Sequence, residues 1–218
     1  MAMAAKTRLI DRTQRAALLH GIYAIVNESA SALDVARAAL DAGVRIVQYR
    51  AKGGIVADTL CPLRVMTLEN GALLIVNDEL EAVRTFDCDG MHLGPDDAGF
   101  SDVARVRAAF PEHLIGLSCG TVEEANPRKT AFADYLGVGS VYATTSKDDA
   151  GAPIGVGGLE RIASVTALPV AAIGGITLDN VVNVRRSGVA MAAVISAISA
   201  AADPRAAAVA LVDAWQAP

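Results

Sequence analysis

The sequence predicts a single-domain (β/α)8 barrel, a TIM-type cylinder of parallel strands with a helix after each. Three observations carry this expectation. Short β-branched runs recur eight times with helix-patterned stretches between them, the alternation of βα units that feed a parallel sheet. Their starts, from residue 22 to residue 192, are spaced by roughly 24 residues, room for one strand, one helix and two short loops. The first run leads into Asn27-Glu28-Ser29, whereas an open doubly wound sheet usually carries a glycine-rich phosphate loop at that point.

In order, the expected strands are 22–26, 45–49, 73–76, 90–93, 114–117, 135–138, 170–173 and 192–195. Ser31-Ala-Leu-Asp34 resembles a capping box at the start of the first helix, and Leu33, Ala36 and Leu40 then share a face until Gly43 offers a stop. The segment DAGVRIV at 41–47 is echoed by RSGVAMAAVI at 186–195, the same passage from helix through glycine to strand. Asp203-Pro204 reads as an N-cap followed by proline at the first helical position, and Ala208, Val212 and Trp215 anchor that last helix at helical spacing. No linker interrupts 21–218, the expected barrel domain; 1–20 reads as an N-terminal extension whose stretch 6–19 is helical and lies across the barrel bottom.

Composition narrows the function. The 218 residues are 53% hydrophobic and 20% charged, which excludes a disordered chain. A formal net charge of −5 provides no global positive field for nucleic acid or anionic lipid, so an anionic ligand needs a local cationic cluster. Cys61, Cys88 and Cys119 show no metal-ligand spacing and fit a reduced compartment, with Cys88 and Cys119 as small apolar fillers. No apolar segment suits a signal peptide or a membrane span, and a cytoplasmic protein is expected.

In a barrel, chemistry sits at the C-terminal ends of the strands. The second strand ends Gln48-Tyr49-Arg50-Ala51-Lys52; at a period of two Gln48 and Arg50 share a side, and Lys52 continues it into the loop. An isolated R-x-K is more often a solvated loop with ordinary surface charge. The third strand runs into Asn77-Asp78 and the fourth into Gly94-Pro-Asp-Asp97, two carboxylates on adjacent strand ends beside cations, a setting that suits Mg2+. Alone, Asn77 or Asp78 is more often a turn residue or a helix cap. The fifth strand ends at Ser118, the sixth leads to Ala143-Thr-Thr-Ser-Lys147, the seventh ends Gly174-Gly175 and the eighth reaches Ile195-Ser196. The ends of strands seven and eight are where barrels commonly hold a phosphate. His92 reads as a core or supporting histidine rather than a base.

The ordered set QYRAK, VND, DGMHLGPDD, GLS, ADYLGVGSVYATTSK, AIGGI and VISAIS resembles the thiamine phosphate synthase family over nearly the whole chain. That resemblance implies a barrel transferase, commonly dimeric, which joins a hydroxymethylpyrimidine pyrophosphate to a thiazole phosphate and releases pyrophosphate with Mg2+. It assigns Gln48, Arg50, Lys52, Asn77 and Lys147, with the rest of the segment through Tyr49 and Ala51, to the pyrimidine pyrophosphate. It gives Mg2+ to Asp78 and Asp97, and sets Ser118 against the reacting substrates. Thr144, Thr145 and Ser146 would line the thiazole phosphate pocket with Gly174, Gly175, Ile195 and Ser196. Arg50, Lys52, Ser118 and Lys147 are the expected catalytic set. The implied chemistry is dissociation of the pyrimidine-CH2–O bond and capture of the cation by the thiazole nitrogen; no proton leaves that nitrogen, so no general base is needed. Charge growing on the leaving pyrophosphate has to be stabilised instead.

The chain departs from the family pattern at Ala51 (usually Glu), Pro95 (commonly Gln), Gly120 (often His), Ala143 (Pro) and Ser146 (Thr). Two rivals remain. One is a thiazole tautomerase-like enzyme, which lacks the complete pyrophosphate and metal set and would want a His where Gly120 stands. The other is a non-catalytic relative that binds a phosphorylated thiamine precursor.

Overall fold

The computed structural model describes residues 11–97, 99–146 and 151–217. Eight strands close into a barrel in chain order: β1 (Gly21–Asn27), β2 (Ile46–Arg50), β3 (Leu73–Asn77), β4 (Gly90–Leu93), β5 (Leu114–Cys119), β6 (Tyr135–Val138), β7 (Val170–Ile173) and β8 (Met191–Val194). Every pairing is parallel, and β8 pairs back onto β1 through Gly21↔Met191 to Ala24↔Val194. Each predicted strand is present, with ends shifted by two residues or fewer. The eighth lies one residue earlier than expected, because Ile195 leaves the ladder at φ −119 and ψ −85.

Helix α1 (Arg12–Ala16) precedes the barrel; α2 (Ala32–Asp41), α3 (Ala57–Glu69), α4 (Leu80–Thr85), α5 (Val103–Ala109), α6 (Pro127–Thr130), α7 (Gly155–Ala163) and α8 (Val181–Arg186) connect successive strands. After β8 come the single turn α9 (Ser196–Ser199) and α10 (Pro204–Gln216). No helix among the described residues is long and apolar enough to cross a membrane.

Alternation along the strands produces two apolar shells. On β1, Ile22, Ala24 and Val26 join the outer shell between strands and helices, while Tyr23 and Ile25 point into the barrel. Ile46, Leu73, Ile75, Leu114, Ala171, Met191 and Ala193 fill the inside, and Leu19 plugs it from below. Each fully buried Leu or Ile contributes roughly 1.5–3 kcal/mol, so the outer shell, with Leu60, Leu63 and Leu74 at 0% exposure, supplies much of the stability.

The expected helix signals hold in part. The Asp203 carboxylate accepts the Ala206 N–H at 2.9 Å ahead of Pro204. Gly43 and Gly188 take the left-handed φ values, 98 and 79, that end α2 and α8. The capping box at Ser31 does not form. Ser31 precedes α2 but makes no capping bond; its hydroxyl lies 3.3 Å from that of Ser29, and Asp34 stands in the first turn without completing the pair. In the expected helical stretch 6–19, only Arg12–Ala16 is helical among the described residues, and 1–10 lie outside them. Below the barrel, buried Asp89 accepts from Arg15 Nε at 3.1 Å, from Arg64 at 2.8 Å and from the Leu74 N–H at 2.9 Å, tying α1, α3 and β3 to one carboxylate.

Candidate active site

A cavity of about 460 Å³ opens at the C-terminal ends of the strands. Inward positions of successive strands line it: Gln48 and Arg50 from β2, Asn77 from β3, His92 from β4, Ser118 from β5 and Gly137 from β6. The far wall consists of Thr144, Ser146, Gly174, Gly175, Ile195 and Ser196. A second cleft of about 370 Å³ adjoins it, bordered by Asn27, Glu28, Arg50, Lys52, Gly53 and Ser146, so Arg50 and Ser146 face both spaces.

Two residues of the QYRAK segment turn away from this cavity. Tyr49 has 0% exposure and sits in the outer shell; its hydroxyl donates to the Glu28 carboxylate and accepts the Val56 N–H at 3.3 Å. Burial first, and the Glu28 carboxylate second, push that phenol up to about 12. Thr59 donates to the other Glu28 oxygen at 3.2 Å, and the Glu28 N–H reaches the Arg50 carbonyl at 2.8 Å. Glu28 and Tyr49 therefore brace the loop that carries Arg50 and Lys52. Ala51 is half-buried against the same outer shell. Side-chain alternation along β2 makes both placements unavoidable once Gln48 and Arg50 point inward.

At the rim, Asp78 adopts the left-handed φ of 65, unusual for a residue with a side chain, and its N–H donates to the His92 carbonyl at 3.1 Å. The Asp97 carboxylate accepts the Gly94 N–H. A Cβ built on Gly94 would lie 3.1 Å from Asp97 Oδ2 and 3.8 Å from Ser118 Oγ, so the glycine keeps this carboxylate and this hydroxyl close to one another. Asp96, which the sequence did not single out, borders the cavity beside Pro95. Among the described residues no three His, Cys, Asp or Glu side chains converge as a cage for a metal ion. Neither Asp78 nor Asp97 borders the cavity or the cleft; two hard carboxylates are nevertheless the donor type that suits Mg2+, which keeps water and phosphate oxygens in its shell.

On the opposite wall, the Thr144 hydroxyl accepts the Ser146 N–H at 3.1 Å, and Ser146 Oγ lies 3.3 Å from Ser196 Oγ. Thr145 is exposed and does not line the cavity. Gly174 and Gly175 have φ values of 100 and 62, and a Cβ on Gly175 would meet the Ala143 carbonyl at 2.4 Å, so a side chain here would be strained and would clash. Lys147 lies outside the described residues.

The floor holds residues that sequence reasoning missed. Tyr23, Ile25 and Tyr135 line it, and His92 contacts the hydroxyls of both Tyr135 and Ser118. Glu124 also borders the cavity, its carboxylate accepting the N–H groups of Gly120 at 2.6 Å and Thr121 at 3.2 Å. Cys119 is present too, but burial pushes its thiol up to about 11, which keeps it protonated and a poor nucleophile.

Residues 22–198 match the family model described as thiamine monophosphate synthase. The thiamine-phosphate synthase of Archaeoglobus fulgidus is 44% identical over 183 residues, 83% of this chain and 85% of that protein. That of Caldivirga maquilingensis is 39% identical over 201 residues, 89% of this chain and 96% of its own length. Among solved structures, thiamine phosphate pyrophosphorylase from Pyrococcus furiosus superposes with a TM-score of 0.80 at 34% identity, covering 91% of this chain and 96% of that one. With a family model matched over most of its length and relatives about 40% identical, the chain belongs to the thiamine monophosphate synthase family.

Proposed function

We propose that the chain is a transferase that condenses a hydroxymethylpyrimidine pyrophosphate with a thiazole phosphate, forming thiamine phosphate and releasing pyrophosphate. The single observation that carries this reading is the division of one cavity into two unlike walls. Gln48, Arg50 and Asn77 form one wall, next to the cleft with Lys52; Thr144, Ser146, Gly175 and Ser196 form the other. Two walls suit two substrates held face to face, and such positioning by itself accelerates a bimolecular step by orders of magnitude.

In this reading Arg50 and Lys52 hold the diphosphate, and Lys147 joins them. Asp78 and Asp97 would hold Mg2+, which when bound offsets negative charge on the diphosphate. Gln48 and Ser118 orient the pyrimidine ring from opposite strands. The hydroxyls of Thr144, Ser146 and Ser196, with the flat approach allowed by Gly175, receive the thiazole phosphate. The chain's own contribution to the bond change is orientation and positive charge, because the capturing nitrogen carries no proton to remove. A homodimer acting in the cytoplasm belongs to the same reading and rests on the family likeness alone.

The test is an assay with both purified substrates, with and without Mg2+. Thiamine phosphate and pyrophosphate appearing in equal amounts, dependent on Mg2+, is the expected result. Isomerised thiazole phosphate with no pyrophosphate would assign a tautomerase instead, and calorimetric binding with no product would assign a carrier.

A further inference from the structure

A continuous hydrogen-bond chain crosses the floor of the barrel and joins two residues of the proposed pyrimidine site. Gln48 Nε2 donates to the Tyr23 hydroxyl at 2.8 Å, and the Tyr23 and Tyr135 hydroxyls lie 3.0 Å apart. The Tyr135 hydroxyl is 3.2 Å from His92 Nδ1, and His92 Nε2 is 3.1 Å from Ser118 Oγ. Gln48, Tyr23 and Tyr135 are buried, at 3%, 2% and 0% exposure. Two glycines make room for the chain. A Cβ on Gly116 would come within 2.1 Å of the Tyr135 ring, and one on Gly137 within 2.8 Å of the His92 ring.

We propose that Tyr23, Tyr135 and His92 are positioning residues that force Gln48 and Ser118 to present opposite hydrogen-bonding character to the substrate. Each phenol carries one proton, and neutral imidazole has one donor and one acceptor nitrogen. With the Gln48 amide donating into Tyr23, the Tyr23 proton goes to Tyr135 and the Tyr135 proton to His92 Nδ1. His92 then donates from Nε2 to Ser118. The Ser118 proton is left for the cavity on one side and the Gln48 carbonyl oxygen, with the amide's second N–H, on the other, so Ser118 donates while Gln48 supplies the acceptor. Turning the Gln48 amide over reverses every link and exchanges the two roles together. With His92 neutral, any mixed arrangement leaves a buried donor or acceptor unpaired, which folded proteins avoid. From β2 and β5 the site thus offers one acceptor and one donor to a single ring. An aminopyrimidine, with an amino donor and ring-nitrogen acceptors, meets that pattern. The assignment rests on the reading of Gln48 and Ser118 as pyrimidine contacts.

The experiment is a double-mutant cycle on kcat/KM for the pyrimidine pyrophosphate, using Gln48→Met and Ser118→Ala, run in the native chain and again in Tyr135→Phe. In the native chain the two losses are expected to be non-additive by about tenfold, because they share one chain. In Tyr135→Phe they become additive within about twofold, and Tyr135→Phe alone raises KM for the pyrimidine substrate while KM for the thiazole phosphate stays within about twofold. Equal coupling in both backgrounds, or none in the native chain, would overturn the proposal while leaving the synthase reading intact. A native chain that makes no thiamine phosphate would overturn both. If Tyr135→Phe does not fold, Tyr23→Phe cuts the chain one link nearer Gln48 and carries the same expectation.

Discussion

Ser146 Oγ and Ser196 Oγ lie 3.3 Å apart, joining the loop after β6 to the first residue of α9 across the mouth of the cavity. Both hydroxyls face the wall assigned to the thiazole phosphate, so this contact marks where the phosphate oxygens would sit. Ser196→Asp would set a carboxylate there, and at that short distance like charge repels the phosphate although Ser196 itself is exposed. KM for the thiazole phosphate is expected to rise by about tenfold or more, with a smaller change for the pyrimidine substrate. Steady-state kinetics with each substrate varied in turn check it; an unchanged KM for the thiazole phosphate would remove the pocket from this wall.

Beneath the barrel, Asp89 has a side-chain exposure of 5% and pairs with Arg15 and Arg64, whose side chains are 10% and 9% exposed. Asp89→Asn keeps the size of the side chain and removes the charge, leaving two guanidinium groups in a poorly solvated place. Breaking a buried pair in this way costs about 3–5 kcal/mol. Urea unfolding should show that loss as a lower midpoint with an unchanged slope, while KM for both substrates stays near native because the junction lies at the opposite end from the cavity. A stability within about 0.5 kcal/mol of native would mean the carboxylate is not the tie between α1, α3 and β3.

The buried thiols, together with the buried phenols of Tyr23, Tyr49 and Tyr135, limit stability at alkaline pH. Burial raises Cys88 from the ordinary 9.0 to about 12 and Cys119 from 9.0 to about 11. Folded protein therefore holds protons that the unfolded chain has already released between about pH 9 and pH 12, and stability falls as pH rises through that window. Chemical unfolding midpoints measured from pH 8 to 11 should decline at the upper end. At pH 8, alkylation followed by mass spectrometry should mark exposed Cys61 and spare Cys88 and Cys119. Rapid labelling of Cys119 would show that the cavity wall opens far more than its burial suggests.

The architecture was legible because a barrel writes itself into one dimension. Most strands are short apolar runs, α2, α3 and α8 end at glycines, α6 and α10 begin at a capped proline, and the rim residues follow directly from where strands stop. Asn77, Ser118 and Ser196 were found in that way, from chain position alone. The floor was not legible for a definite reason. Ile22-Tyr23-Ala24-Ile25-Val26 is apolar on both faces, so nothing in it says which side Tyr23 takes. That choice is fixed by register, Tyr23↔Ile46 and Ile25↔Gln48, which only the closed sheet supplies. Tyr135 likewise reaches His92 only because β4, β5 and β6 align His92↔Gly116 and Gly116↔Tyr135, with a glycine between two rings. Tyr49 looked like a site residue because it sits between Gln48 and Arg50; its parity sends it outward to Glu28 instead. Asp96 and Asp97 are adjacent in the chain, and the turn after β4 decides which of them borders the cavity.

The account depends most on a diphosphate held between the carboxylates after β3 and β4 and the cations after β2. Initial rates of thiamine phosphate formation as a function of Mg2+ concentration, for the native chain, Asp78→Ala and Asp97→Ala, test it most directly. The prediction is a loss of about 100-fold or more at fixed Mg2+ in each variant, the scale seen when one group that stabilises developing charge is removed, with native circular dichroism retained. Rates and Mg2+ dependence unchanged in both variants would contradict it.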